Sequence, residues 1–126
     1  MIEDYFLHVE NTLREFPNIR SYALNKKIYN SRQGMIGGKI VFENGYLLEF
    51  SEVVDTEQTG KMKYRYHFMD KSQRLVFRYD NAPHHSDVKS FPHHKHTART
   101  VKASLEPDLR SVLLEITRDQ KKRGRR

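Results

Sequence analysis

The chain has 126 residues and a formal net charge of +7, with 23 Lys and Arg against 16 Asp and Glu, seven histidines and no cysteine. That length suits one domain with a single buried core, and the lack of cysteine excludes a disulfide framework, a thiolate zinc site and a cysteine nucleophile. The apolar runs are a few residues long, far short of the roughly 20 that span a bilayer, and the acidic start "MIEDYF" is unlike a signal peptide, so a cytoplasmic protein with no membrane partner is expected.

Residues 2–16 predict a helix. Ile2, Phe6, Val9, Leu13 and Phe16 recur at spacings of three and four and share one face. Glu3 and Asp4 suit the positive end of the helix dipole, and Pro17 stops the helix.

From about residue 19 to 80 the period changes to two. "NIRSYALNKKIYN" reads as a first strand with an irregular middle. "GKIVFENGYLLEF" holds two apolar runs around Asn44-Gly45, a strong hairpin signal. A polar connection, "DTEQTGK", leads to "MKYRYHFMDKSQRLVFRYD", two more alternating runs around a turn near Asp70 to Gln73. Consecutive strands joined by short turns form an antiparallel meander more readily than βαβ units. Residues 81–103 contain Pro83 and Pro92, show no period and read as a loop. "PDLRSVLLEITRDQ" predicts a last helix, with Pro107 in its first turn and Leu109, Val112, Leu113 and Ile116 as its apolar stripe. The expectation is one α+β domain over residues 1–117: a meander of about five strands with the N- and C-terminal helices packed on one face. A flexible basic tail, 118–126, follows.

Alternation assigns the faces of the sheet. Tyr46, Leu48 and Phe50 share one side, as do Tyr64, Tyr66 and Phe68, and again Leu75, Phe77 and Tyr79. These aromatic sets belong against the two helices. The opposite face then presents Glu49, Arg65, His67, Arg78 and Asp80 on rigid strands. A half-covered sheet has a polar outer face in any case, and Glu–Arg pairs across strands stabilise it modestly.

Five of the seven histidines, His84, His85, His93, His94 and His96, crowd into the loop after that face. Metal binding needs neutral imidazoles and carboxylates about 2.0–2.2 Å from one ion. His94 and His96 would point the same way in an extended segment, with Asp80 or Glu49 to complete a set, but no spacing here is specific for a metal. A polar loop whose histidines cap backbone groups is the bland alternative. General acid–base chemistry needs two groups that titrate near neutral pH on either side of a scissile bond, and histidine is suited to that. RNA cleavage through the 2′-hydroxyl fits, with Arg65, Arg78 and Lys95 as cations for the phosphorane charge. The C-terminal run "TRDQKKRGRR", including Lys121, Lys122 and Arg123, adds attraction for polyanions.

The blocks "YLLEFSEVVDTE", "KYRYHFMDKSQRLVFRYDNAPHH" and "FPHHKH", followed by a helix opening on Glu106-Pro107, resemble the TumE-type toxins of bacterial and archaeal toxin–antitoxin modules. The resemblance covers about residues 40–117. It implies a small growth-inhibiting toxin neutralised by a cognate antitoxin, often a helix-turn-helix protein, and supplies no catalytic residues.

The residues favour an RNA-directed endoribonuclease without a cofactor, which the resemblance implies would be a toxin. His67, His84, His85, His93, His94 and His96 are the acid–base candidates, Glu49 or Asp80 would orient an imidazole, and Arg65, Arg78 and Lys95 would hold phosphate. One alternative is a non-enzymatic nucleic-acid-binding module in which Tyr64, Tyr66, Phe77 and Tyr79 stack on bases. Another is a nuclease that uses the same histidines to hold a divalent metal.

Overall fold

The two periodicities become two layers. The computed structural model describes residues 1–83 and 90–124. Helix α1 (Ile2–Arg14) is followed by strands β1 (Ile19–Ile28), β2 (Gln33–Phe42), β3 (Leu47–Asp55), β4 (Lys63–Met69), β5 (Leu75–Asp80), β6 (His94–Thr97) and β7 (Val101–Ala103), and then by helix α2 (Leu109–Gly124). The strands form one sheet in sequence order, and every neighbouring pair is antiparallel. The protein is therefore α+β, with an open meander.

Both helices lie on the aromatic face. Ile2, Phe6, Val9 and Leu13 of α1 and Leu109, Val112, Leu113 and Ile116 of α2 share one core with Ile36, Ile40, Phe42, Leu48, Phe50, Tyr64, Tyr66, Phe68 and Phe77 of the sheet. Each buried aliphatic or aromatic side chain contributes about 1.5–3 kcal/mol relative to exposure, so this continuous cluster fixes which face stays open. At Gly34 the helix packs tightly on the sheet: a Cβ there would lie 2.8 Å from Ile2 Cγ1 and 3.0 Å from Phe6 Cζ. The Asn44-Gly45 signal marks a real hairpin. Gly45 has φ +87, and its N–H donates to Phe42 O at 2.9 Å, as a three-residue loop with glycine in the left-handed region requires.

The sheet has seven strands where about five are expected. The additional pair, β6 and β7, lies in the segment 81–103 that reads as a loop. β6 is "HKHT", whose alternation is of polar side chains, so it carries no apolar period to read. At the C-terminus, α2 continues through Gly124, so Arg118, Lys121, Lys122 and Arg123 are helical.

Candidate active site

The register lays the polar residues of the open face in two rows. In the first, Glu49 of β3 faces His67 of β4, His67 faces Arg78 of β5, and Arg78 faces His96 of β6. In the second, Ser51 faces Arg65, Arg65 faces Asp80, and Asp80 faces His94. Strands separated by about 4.8 Å make the residues of each row neighbours across the sheet.

The rows meet at the β5–β6 end. Asp80 is buried there and His94 is only 1% exposed. Oδ1 of Asp80 lies 2.6 Å from His94 Nε2 and accepts the Ala82 N–H at 3.1 Å. Oδ2 accepts from Arg78 Nε at 3.0 Å and lies 3.5 Å from His96 Nε2. The two imidazoles pack edge to face with ring centroids 4.6 Å apart. His94 Nδ1 is 2.9 Å from Pro92 O, and a carbonyl only accepts, so Nδ1 carries a proton. His94 Nε2 and the carboxylate oxygen then approach to 2.6 Å across a proton or a cation. One ligand atom from each of Asp80, His94 and His96 lies within 4.8 Å of the others, a carboxylate and two imidazoles able to hold a divalent ion.

His67 sits on the other side of Arg78. Arg65 Nη2 is 2.8 Å from His67 Nδ1. The guanidinium must donate, so Nδ1 accepts and Nε2 holds the proton. Loss of water around the half-buried ring, followed by the charges of Arg65 and Arg78, pushes the His67 imidazolium below its usual range, with Glu49 opposing. Neutral His67 is therefore the form present in neutral solution. Glu49 itself lies 3.9 Å from Lys39 Nζ.

Other expected site residues fall elsewhere. Lys95 points to the helix-covered side, with Nζ 2.8 Å from Glu115 Oε2 and 5.0 Å from the Tyr79 ring centroid. His93 accepts or donates at Nδ1 with Tyr64 Oη, 2.8 Å away, and stacks on the Tyr64 ring, so it belongs to the core side. Arg123 pairs with Asp119 at 2.7 Å, and Lys121 and Lys122 lie on the last turns of α2, in the helix layer. His84 and His85 lie outside the described residues. Tyr64, Tyr66 and Phe77 are buried, and Tyr79 donates to Glu115 Oε1 at 2.6 Å. None of the four offers a ring face on the open side for a base to stack on.

Residue-level reading of the sequence misses Glu52. It lies on the covered face, 1% exposed, and its two carboxylate oxygens accept hydrogen bonds from Tyr5 and Tyr66. Burial pushes its carboxyl above the usual range, against the effect of both hydroxyls and Lys61. The visible signal is an acid in the apolar phase of "LEFSEVV", between Phe50 and Val54. A cavity of about 360 Å³ lined by Tyr5, Lys61, Glu106 and Asp108 adjoins it on the helix side, across the sheet from the histidines.

The fold is thus an open meander with one face sealed by helices and the other carrying Arg65, His67, Arg78, Asp80, His94 and His96. A family model described as Toxin TumE matches residues 9–123, and the chain belongs to the TumE toxin family. It is accordingly the toxin of a toxin–antitoxin module, with an antitoxin as its partner. Comparisons with curated proteins and with solved structures gave no match. No helix among the described residues is long and apolar enough to cross a membrane.

Proposed function

We propose that this toxin is an endoribonuclease that cleaves RNA through the 2′-hydroxyl by imidazole acid–base catalysis. One observation carries the reading: His67 and His96 flank Arg78 in a single row across three neighbouring strands. Strand spacing places the two imidazole-bearing strands about 9.6 Å apart, enough for a phosphodiester over the guanidinium between them.

In this scheme Arg78 and Arg65 bind the scissile phosphate. When Arg65 turns to the phosphate it releases His67 Nδ1, which takes the proton of the 2′-hydroxyl. The 2′-oxygen forms a bond to phosphorus, and the bond from phosphorus to the 5′-oxygen breaks. His96, whose buried Nε2 faces the Asp80 carboxylate as counter-charge, protonates the departing 5′-oxygen through Nδ1. The products are a 2′,3′-cyclic phosphate and a 5′-hydroxyl. The guanidiniums stabilise the extra charge of the phosphorane. His94 is too deeply buried to touch RNA and acts with Asp80 to position His96 and Arg78. Lys39 and Lys63 on the open face would hold flanking phosphates.

Labelled RNA incubated with purified protein, with and without EDTA, tests this. Cleavage should survive EDTA and fall by at least about 100-fold in His67→Ala and in His96→Ala. RNA bound tightly but left intact would sink the enzymatic reading.

A further inference from the structure

We propose that Asp80, His94 and His96 form a binding site for a divalent transition-metal ion of the Zn²⁺ class, and that its occupancy switches the acid–base site off. The inhibitory half rests on the ribonuclease reading above; the binding half stands on geometry alone.

Three features support a metal site. The donor set, two imidazoles and one carboxylate, is the kind that Zn²⁺ takes with a further position left open. The spacing is close to what tetrahedral binding needs: bonds of about 2.05 Å put neighbouring donors about 3.3 Å apart. One donor atom from each residue lies within 4.8 Å of the others, with the two Asp80 oxygens 2.6 Å from His94 Nε2 and 3.5 Å from His96 Nε2, so side-chain shifts of about 1.5 Å or less bring the three donors to that spacing. The surrounding shell is also in place. Metal-bound histidines commonly donate their second ring N–H to a carbonyl, and bound carboxylates are themselves hydrogen-bonded. His94 Nδ1 meets Pro92 O at 2.9 Å, and Asp80 accepts from Ala82 N and Arg78 Nε. The Arg78 charge opposes a cation, which favours a soft-binding ion held by two imidazoles over Mg²⁺ held by carboxylates.

The two uses of the site exclude each other. A bound ion takes the His94 and His96 Nε2 lone pairs and the carboxylate that positions them. His96 is then held as a neutral imidazole whose remaining Nδ1–H is far too weak an acid to protonate the 5′-oxygen.

Untagged, metal-free full-length protein titrated with Zn²⁺ by calorimetry, in competition with a chromophoric chelator, tests the site. One saturable ion per chain is expected, with a rise in melting temperature because the ion binds only the folded form. A tenfold excess of Mg²⁺ should not displace it. His96→Gln should weaken binding by at least about tenfold, as should Asp80→Asn, with circular dichroism checking that each variant folds. His8→Ala, on α1, should bind as the wild type does. No saturable binding, or binding unchanged in both site variants, overturns the site. In the RNA assay, EDTA-treated protein should cleave and saturating Zn²⁺ should stop it. Zn²⁺ bound with cleavage unaffected, or cleavage that requires Zn²⁺, overturns the inhibition. Absence of cleavage under every condition removes the ribonuclease reading and the inhibitory half together, and the titration alone then decides the site.

Discussion

Arg78 has three tasks in a small space: it faces both His67 and His96 across the register and donates through Nε to Asp80. Lysine keeps the charge but not the fork that serves a carboxylate and a phosphate together. Arg78→Lys should therefore lower kcat/KM on RNA by about 100-fold, measured with a defined oligonucleotide. Arg65 acts differently, because its charge helps to hold the His67 imidazolium below the usual range. In Arg65→Ala that contribution disappears and the His67 value rises towards the usual one. The acid limb of the pH–rate profile should move to higher pH, alongside a loss of rate; an unmoved limb would remove His67 as the base. Glu52 yields a stability prediction. Burial holds its carboxyl above the usual range, so the folded chain keeps a proton that the unfolded chain has lost. Stability is greatest below the usual carboxylate range, about 4.3, and falls as pH rises through the folded value. Glu52→Gln should flatten that fall in urea-denaturation midpoints across a pH series; a parallel decline in both proteins would contradict it.

Among the elements, those that bury apolar side chains were legible. α1, α2, the Asn44-Gly45 hairpin and the face assignments of β3, β4 and β5 all follow from spacing, because each has one apolar side to hide. β6 was not legible for a physical reason. Its residue His94 is buried and His96 partly buried, both paired with Asp80 and packed on each other, and Lys95 is tied to Glu115, so polar contacts do the work that an apolar period would announce. That one strand decides the site: forming β6 turns His94 and His96 onto the open face and carries Lys95 to the helix side. The site was therefore half legible, with Arg65, His67, Arg78 and Asp80 placed by alternation and the His94–His96 pair left in a loop. The packing of α1 on β2 gives an element-scale test. Gly34→Ala would bring a Cβ to 2.6 Å from Lys27 O and 2.8 Å from Ile2 Cγ1, backbone on one side and core on the other. The variant should lose about 1–3 kcal/mol of unfolding free energy.

For the whole molecule, the division into a sealed face and an open one separates two kinds of charge. Lys121, Lys122 and Arg123 belong to the end of α2 in the helix layer, whereas Lys39, Lys63 and Arg65 accompany the histidines. If RNA lies across the open face, removing residues 121–126 should change the salt dependence of binding less than replacing Lys39 and Arg65 with alanine, where each lost phosphate contact lowers the slope by about 0.7. Equal effects would move the RNA path towards α2. In the proposed reaction the 2′-hydroxyl is the nucleophile, released by an imidazole beside a guanidinium-bound phosphate. The most direct test is an RNA cleaved by the toxin and then resynthesised with a single 2′-deoxy sugar on the 5′ side of the mapped cut. EDTA-treated protein should leave a 2′,3′-cyclic phosphate on the all-ribose strand and spare the deoxy-substituted bond. Cleavage of that bond at an undiminished rate would contradict it.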